Sequence, residues 1–350
     1  GHHSIPVGIY GARITLLHFP LIFIIGQVFT RRDVIKMGRF ILWLVPPMVG
    51  LIALQFYSPQ SAWVNRGVGG DLAGAGFSGA LGFFRPPATF SFTNGTTLFF
   101  NFAAAFVGYF WLGSKKEVSR IILLAASVGI LLAIPLSLSR GYFFQLVITT
   151  AFFLVASLAS RRSFGRVIIM GLTMVVAFSV LNNFSFFQTS VSALLNRFEL
   201  ASVSEGGLEG TLVTRFLGGM FGAIGDSGEL PFWGQGIGMG TNVGSALITG
   251  SRGFLVGEAE WRRVIGELGP ILGIILIMIR VILSAHFTLS SFGRLRAGDA
   301  LPWLLASYAL LQILNAQWAQ PTAMGFSMMA GGLVLASLNQ PATVANVKQN

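Results

Sequence analysis

The chain has 350 residues, of which 53% are hydrophobic and only 10% charged, and its mean hydropathy is +0.73. Soluble domains carry roughly a quarter charged residues, so composition excludes an ordinary soluble fold. The net charge of +11 would point to nucleic acid in a soluble protein. Here the cations fall in short clusters between apolar runs, so anchoring to the membrane surface and to anionic lipid accounts for them, and no nucleic-acid partner is expected.

The absence of Cys removes disulfides, thiol nucleophiles and Cys-ligated metals, and four His at 2, 3, 18 and 286 leave little for a zinc site. Neither a metal nor a cofactor is expected. The 32 Phe and 44 Gly suit closely packed, lipid-facing helices. The chain opens Gly1-His2-His3-Ser4 without Met or signal peptide, which reads as a truncation.

Taken in chain order, apolar stretches long enough to cross a bilayer lie near 14–29, 39–56, 96–112, 120–138, 141–159, 167–181, 264–283, 301–318 and 322–338. The expected fold is therefore all-α: a polytopic transmembrane bundle of about nine spans, forming one integral membrane domain over 1–350. Four short loops are basic. The 30–39 loop holds Arg31, Arg32, Lys36 and Arg39; 113–120 holds Lys115, Lys116 and Arg120. The 160–166 loop holds Arg161, Arg162 and Arg166; 284–300 holds Arg294 and Arg296, with Arg280 just inside. All four fall on one side if residue 1 is outside and the C-terminus inside. That arrangement implies an odd number of spans upstream if the native N-terminus is cytoplasmic.

Segments 57–95, 139–140 and 182–263 then face outward. The first is Gly-rich, and reads either as a re-entrant element or as an ordered surface loop. The last, about 80 residues long, is expected to be a large extracytoplasmic loop containing short helices. It holds seven of the chain's twelve carboxylates, Glu199, Glu205, Glu209, Asp226, Glu229, Glu258 and Glu260.

Seven arginines map outside against the usual bias: Arg85, Arg140, Arg197, Arg215, Arg252, Arg262 and Arg263. Guanidinium groups bind phosphate bidentately, so a lipid-linked phosphate or pyrophosphate is a fitting ligand. Pairing with the carboxylates of the same loop is the alternative. Arg140, between two long apolar runs in Ser139-Arg140-Gly141, stands where a charge is costly. Between Gly257 and Gly269, helical spacing puts Glu258 with Arg262, Glu260 with Arg263, and Arg263 with Glu267. This is either a structural ion-pair lattice or a carboxylate held against cations, able to take a proton from a sugar hydroxyl. Glu267 reads as a structural partner of Arg263. The Gly234-Gln235-Gly236-Ile237-Gly238-Met239-Gly240 run follows no strand and opens no βαβ unit, so it is no dinucleotide loop. A tight turn is expected, with backbone N–H groups as candidate phosphate donors.

Four stretches in order resemble the O-antigen ligase and polymerase family of bacterial envelope glycosyltransferases. Arg85-Pro86-Pro87-Ala88-Thr89-Phe90-Ser91-Phe92-Thr93-Asn94-Gly95 resembles that family's R-P-x-x-T-F-x-x-P-N loop, and Ser139-Arg140-Gly141 its S-R-G junction. Arg215 with the later Pro231-Phe232-Trp233-Gly234-Gln235-Gly236-Ile237-Gly238 is similar to its arginine and glycine-rich stretch. Glu267-Leu268-Gly269-Pro270-Ile271-Leu272-Gly273 resembles its E-L-G-x-x-G. The resemblance covers about residues 85 to 285.

It implies a GT-C-like transferase in the bacterial inner membrane. Such an enzyme polymerises or transfers undecaprenyl-pyrophosphate-linked saccharides at the outer face, in polysaccharide biosynthesis for the cell envelope. Its partners would be lipid-linked oligosaccharide donor and acceptor, membrane lipids and other envelope-assembly proteins. The implied pyrophosphate grip is Arg140 and Arg215, with Arg262 and Arg263; Arg85, Glu260 and Glu267 are supporting candidates. Ligases of the family carry a His nine residues before the Glu of E-L-G. Here that position is Glu258, which favours a polymerase-like member with Glu258 as the catalytic base. Two other readings are a transporter of lipid-linked saccharide, which calls for charge at mid-span, and a non-catalytic subunit of a larger membrane complex.

Overall fold

A computed structural model describes residues 4–67, 70, 73–113, 117–159, 164–205, 218–225, 231–251, 255–257 and 259–340. The structure is predominantly helical. Helices α1 (Ile5–Ala12) and α2 (Leu21–Val28) flank a π-helical turn at Arg13–His18. There follow α3 (Arg31–Tyr57), α4 (Thr93–Leu112), α5 (Arg120–Leu136), α6 (Arg140–Leu158), α7 (Phe164–Leu181) and α8 (Ser185–Glu205). The later helices are α9 (Gly218–Gly225), α10 (Asn242–Thr249), α11 (Glu260–Arg296), α12 (Leu301–Asn315) and α13 (Pro321–Asn339).

All nine expected apolar stretches fall on helical segments. Six helices are long and apolar enough to cross a membrane, or up to seven if the bent α7–α8 pair counts as one span. The α5 and α12 helices are apolar but shorter. The chain divides into two compact units.

One unit comprises Val28–Leu200, Ser290–Tyr308 and Ala336–Asn350. Its core is α4, almost wholly buried, with α3, α5, α6 and α7 packed around it. The α3 helix starts on a capping box, the Thr30 hydroxyl accepting from the Asp33 amide while the Asp33 carboxylate accepts from the Thr30 amide. At that end Arg31 makes a two-pronged ion pair with Asp299, 2.7 Å on each prong, and its amide donates to the Gln340 side chain. Glu117 lies there too, 3.5 Å from the Tyr109 hydroxyl and within the field of Arg39 and Arg31. Three of the four basic loops and residue 340 thus share one end of this unit; the fourth, 160–166, lies mostly outside the described residues.

The other end of the 27-residue α3 is about 40 Å away. There the Gly-rich segment forms a feature absent from the all-α expectation, a two-stranded antiparallel hairpin of β1 (Phe77–Ala80) and β2 (Phe83–Arg85). Arg197 of α8 donates to the carbonyls of Ser78 and Gly79 at 3.2 Å, Leu138 packs over Gly79, and the Tyr57 hydroxyl donates to the Phe186 carbonyl. The Gln55 amide ties the chain on either side of the hairpin, donating to Val64 and Ala88 carbonyls and accepting from the Ala88 amide. Segments 57–95, 138–140 and 182–200 therefore meet at one end. The large loop contains short helices as expected, α9 and α10 of eight residues each, but it opens on a longer one: α8 is 21 residues long and turns by 104° from α7 at Asn182-Asn183.

The second unit comprises Gly1–Gln27, Ala201–Leu289 and Ala309–Leu335. Within it α2 packs on α13 through Gly26 and Gly332, each too close to a Leu or Ile side chain to carry a Cβ. The α11 segment, Glu260–Arg296, is not one continuous helix. It breaks at Gly269 (φ 80°, ψ 169°), followed at once by Pro270. In an unbroken helix residues 260 and 280 would stand about 30 Å apart, yet their side chains touch. The chain reverses at the break, and a first arm, 260–268, folds back along a second arm beginning at Pro270; Ile265 closes on Gly273. The apolar stretch expected from near 264 is therefore one continuous helix only from Pro270 onward.

Candidate functional site

The reversal at Gly269 explains the glycine run before it. Breaking the helix leaves carbonyls near the end of the first arm without helical donors. The Gln235 and Gly236 amides fill this role, donating to Gly266 and Glu267 carbonyls at 2.8 and 3.1 Å. Gly234, at φ +66°, lies so close to the Glu267 carbonyl and Gly269 amide that a Cβ has no room. The Gly240 amide donates to Glu267 Oε1 at 2.8 Å. The expected role of these N–H groups as phosphate donors is thus corrected: those of Gln235, Gly236 and Gly240 hold the helix break and Glu267.

From Glu267 a chain of buried ion pairs runs down the first arm. Arg263 Nη1 donates to Glu267 Oε2 at 2.8 Å, and its Nε and Nη2 donate to the two oxygens of Glu260 at 2.9 Å. Arg280 Nη1, from the second arm, donates to Glu260 Oε1 at 2.6 Å. The rest of the Arg280 fork donates to the carbonyls of Ile313 (2.7 Å) and Ala316 (3.0 Å) at the end of α12, and its face lies 3.8 Å from the Trp318 ring centroid.

Glu260, Arg263, Glu267 and Arg280 are all buried. Two carboxylates against two guanidinium groups make the chain neutral. Every hydrogen-bonding nitrogen of Arg280 and Arg263 in these contacts faces a protein oxygen, the arrangement under which buried charge is tolerated. The other faces of the arm are apolar: Trp261, Val264 and Ile265 form a core with Ala223 and Ile277, and the Trp261 indole donates to the Leu314 carbonyl.

The local pairs Glu260–Arg263 and Arg263–Glu267 match the helical spacing read from sequence. Arg280 does not match its reading. It was expected just inside a basic loop, as an anchor, and instead it is wholly buried in ion-pair and carbonyl contacts. The available signal was a lone arginine in a strongly apolar run, downstream of a Gly-Pro breaker. Arg263, expected to grip pyrophosphate, has its fork occupied by Glu260 and Glu267. Of residues 260–268, Arg262 alone is exposed.

In the other unit Arg85 lies 4.5 Å from the centroid of the Phe77 ring, its cross-strand partner in the hairpin. Arg140 is the first residue of α6 and half-buried, with Ser139 as N-cap, its hydroxyl accepting from the Tyr142 amide at 3.2 Å. Leu138, just before the cap, holds a positive φ of 48° while wholly buried. An arginine at the first position of a helix opposes the macrodipole, so helix stability does not explain its place. Glu258, Arg215 and Arg252 lie outside the described residues. Among the described residues no group of three His, Asp or Glu side chains converges as a metal site would require. No family model, curated protein or solved structure matches the chain.

Proposed function

We propose that the protein is a membrane glycosyltransferase that polymerises undecaprenyl-pyrophosphate-linked saccharides at the outer face of a bacterial inner membrane. It would be a polymerase-like relative of the O-antigen ligases, with a GT-C-like bundle of about nine spans. Arg140 carries the reading. A half-buried guanidinium stands at the N-terminus of α6, where the helix field already favours anions, at the end of its unit remote from the basic loops. The order of the four family-like stretches supports the same reading.

In this mechanism guanidinium groups hold the donor pyrophosphate, the candidates being Arg140 in one unit and, in the other, Arg215 and Arg262. Glu258 accepts the proton of an acceptor sugar hydroxyl, whose oxygen attacks the anomeric carbon. The bond from that carbon to the phosphate oxygen breaks, and lipid pyrophosphate leaves with the electron pair, its charge stabilised by fixed guanidinium groups. Arg263 supports the arm without touching substrate.

The test is ladder formation by purified protein from a lipid-pyrophosphate oligosaccharide. Glu258→Gln and Arg215→Ala are expected to abolish the ladder, and Arg140→Ala to weaken it by about a hundredfold or more; wild-type ladders from all three refute the proposal. A transporter of lipid-linked saccharide is the second reading, favoured by the buried Arg280 within α11. It calls for movement of intact donor between leaflets of proteoliposomes, with no ladder.

A further inference from the structure

The first arm of α11 is closed on every face but one. Its apolar face is packed on Ala223 and Ile277, its charged face is neutralised by Glu260, Arg263, Glu267 and Arg280, and its exposed residue is Arg262. Rotation of this arm about its own axis would redirect Arg262. Two contact sets resist that rotation at the arm's free end, far from the Gly269 turn: the Trp261 indole on the Leu314 carbonyl, and Arg280 Nη1 on Glu260, with the rest of the guanidinium anchored on Ile313, Ala316 and Trp318; only the second holds the charged face. A lysine has one point charge and no planar fork, so it cannot serve these partners together.

We propose that Arg280 is a positioning residue: by locking Glu260 to the end of α12 it sets the direction in which the arm presents Arg262 to an anionic phosphate-bearing ligand. Identification of that ligand as the donor pyrophosphate rests on the function proposed above; the positioning role does not.

The chain has no cysteine, so a single Arg262→Cys reports on the arm directly. In native membranes this thiol is expected to react readily with a water-soluble maleimide. Arg280→Met leaves Glu260 with one fewer cation and risks misfolding. The double variant Glu260→Gln/Arg280→Met keeps the remaining Arg263–Glu267 pair neutral and is expected to recover the thermal stability of the parent. In that stable background Arg262→Cys labelling is expected to change by about tenfold, because thiol modification tracks exposure and surroundings. Unchanged labelling overturns the proposal, whatever the enzyme activity.

In the ladder assay, with Arg262 intact, the same double variant is expected to lose about a hundredfold in kcat/KM, the scale set by misplacement of about 1 Å. Arg280→Lys is expected to fail to rescue it. Full activity at recovered stability would make Arg280 merely structural and likewise overturn the proposal. Absence of a ladder from the unaltered protein sinks the glycosyltransferase reading alone, since the labelling comparison still decides the role of Arg280.

Discussion

Glu117 stands where several charges meet, beside Tyr109 and in the field of Arg39 and Arg31. Burial pushes its carboxyl above the ordinary carboxylate value, and the Tyr109 hydrogen bond and the two arginines offset this only in part. A folded-state value above the unfolded one means the folded protein binds the proton more tightly. The stability this contributes is therefore complete below the unfolded value of about 4.3 and is lost as pH rises through the raised folded value. Glu117→Gln is thus expected to match the parent in thermal unfolding near pH 4, by order of magnitude of that reference value, and to exceed it increasingly toward neutral pH. A difference that stays flat across the range would show that burial does not strain this carboxyl.

At the scale of elements, the break at Gly269 organises the second unit. Its φ of +80° lies in the left-handed region, and a Cβ there would run into the Phe232 carbonyl. Gly269→Ala is expected to destabilise the detergent-solubilised protein by at least about 1–3 kcal/mol, the usual scale of backbone strain. Gly8 in α1 has open space around it, so Gly8→Ala is expected to be neutral or to stabilise by up to about 1 kcal/mol. Comparable unfolding temperatures for the two variants would contradict the assigned role of the turn.

Elements also show where sequence reading reaches. Pairs three or four residues apart on the first arm were legible, because helix geometry alone brings them together. The contact of Arg280 with Glu260 was not, because it depends on a chain reversal. Gly269-Pro270 carries a breaker signal but fits a family-like stretch equally well. The hairpin at Phe77–Arg85 was hidden in a glycine run whose pairing depends on anchors elsewhere, Gln55 and Arg197. Arg140 was legible as an anomaly, a charge between two apolar runs. Its capped helical start adds a reason for the position that composition does not carry.

For the whole molecule, the basic loops suggest an orientation, and within one unit the contacts sort the described segments into two ends. Arg31, Glu117, Asp299 and Gln340 gather at one end, while the hairpin, Leu138, Phe186 and Arg197 gather at the other. Single cysteines at Lys36 and Ala297 are therefore expected to label only from the cytoplasmic side of intact cells or inverted vesicles, and one at Ala75 only from the outside. Labelling of Lys36→Cys and Ala75→Cys from the same side would overturn the orientation.

The pairing of Glu260 with Arg280 also bears on how the chain enters a bilayer during synthesis. Glu260 leaves the ribosome twenty residues before Arg280, whereas the carbonyls of Ile313 and Ala316 come later still. An isolated arginine in a nascent helix costs about 2.5–3.5 kcal/mol at the bilayer centre. Carried in as a hairpin with its carboxylate already beside it, Arg280 can partition as part of a neutral pair before its later partners exist. Glu260→Gln is accordingly expected to lower the insertion efficiency of the 260–296 segment in glycosylation mapping, and to do so more than Glu267→Gln, which leaves Arg280 its carboxylate. The ion pair that orders the mature arm would then also be its passport through the translocon.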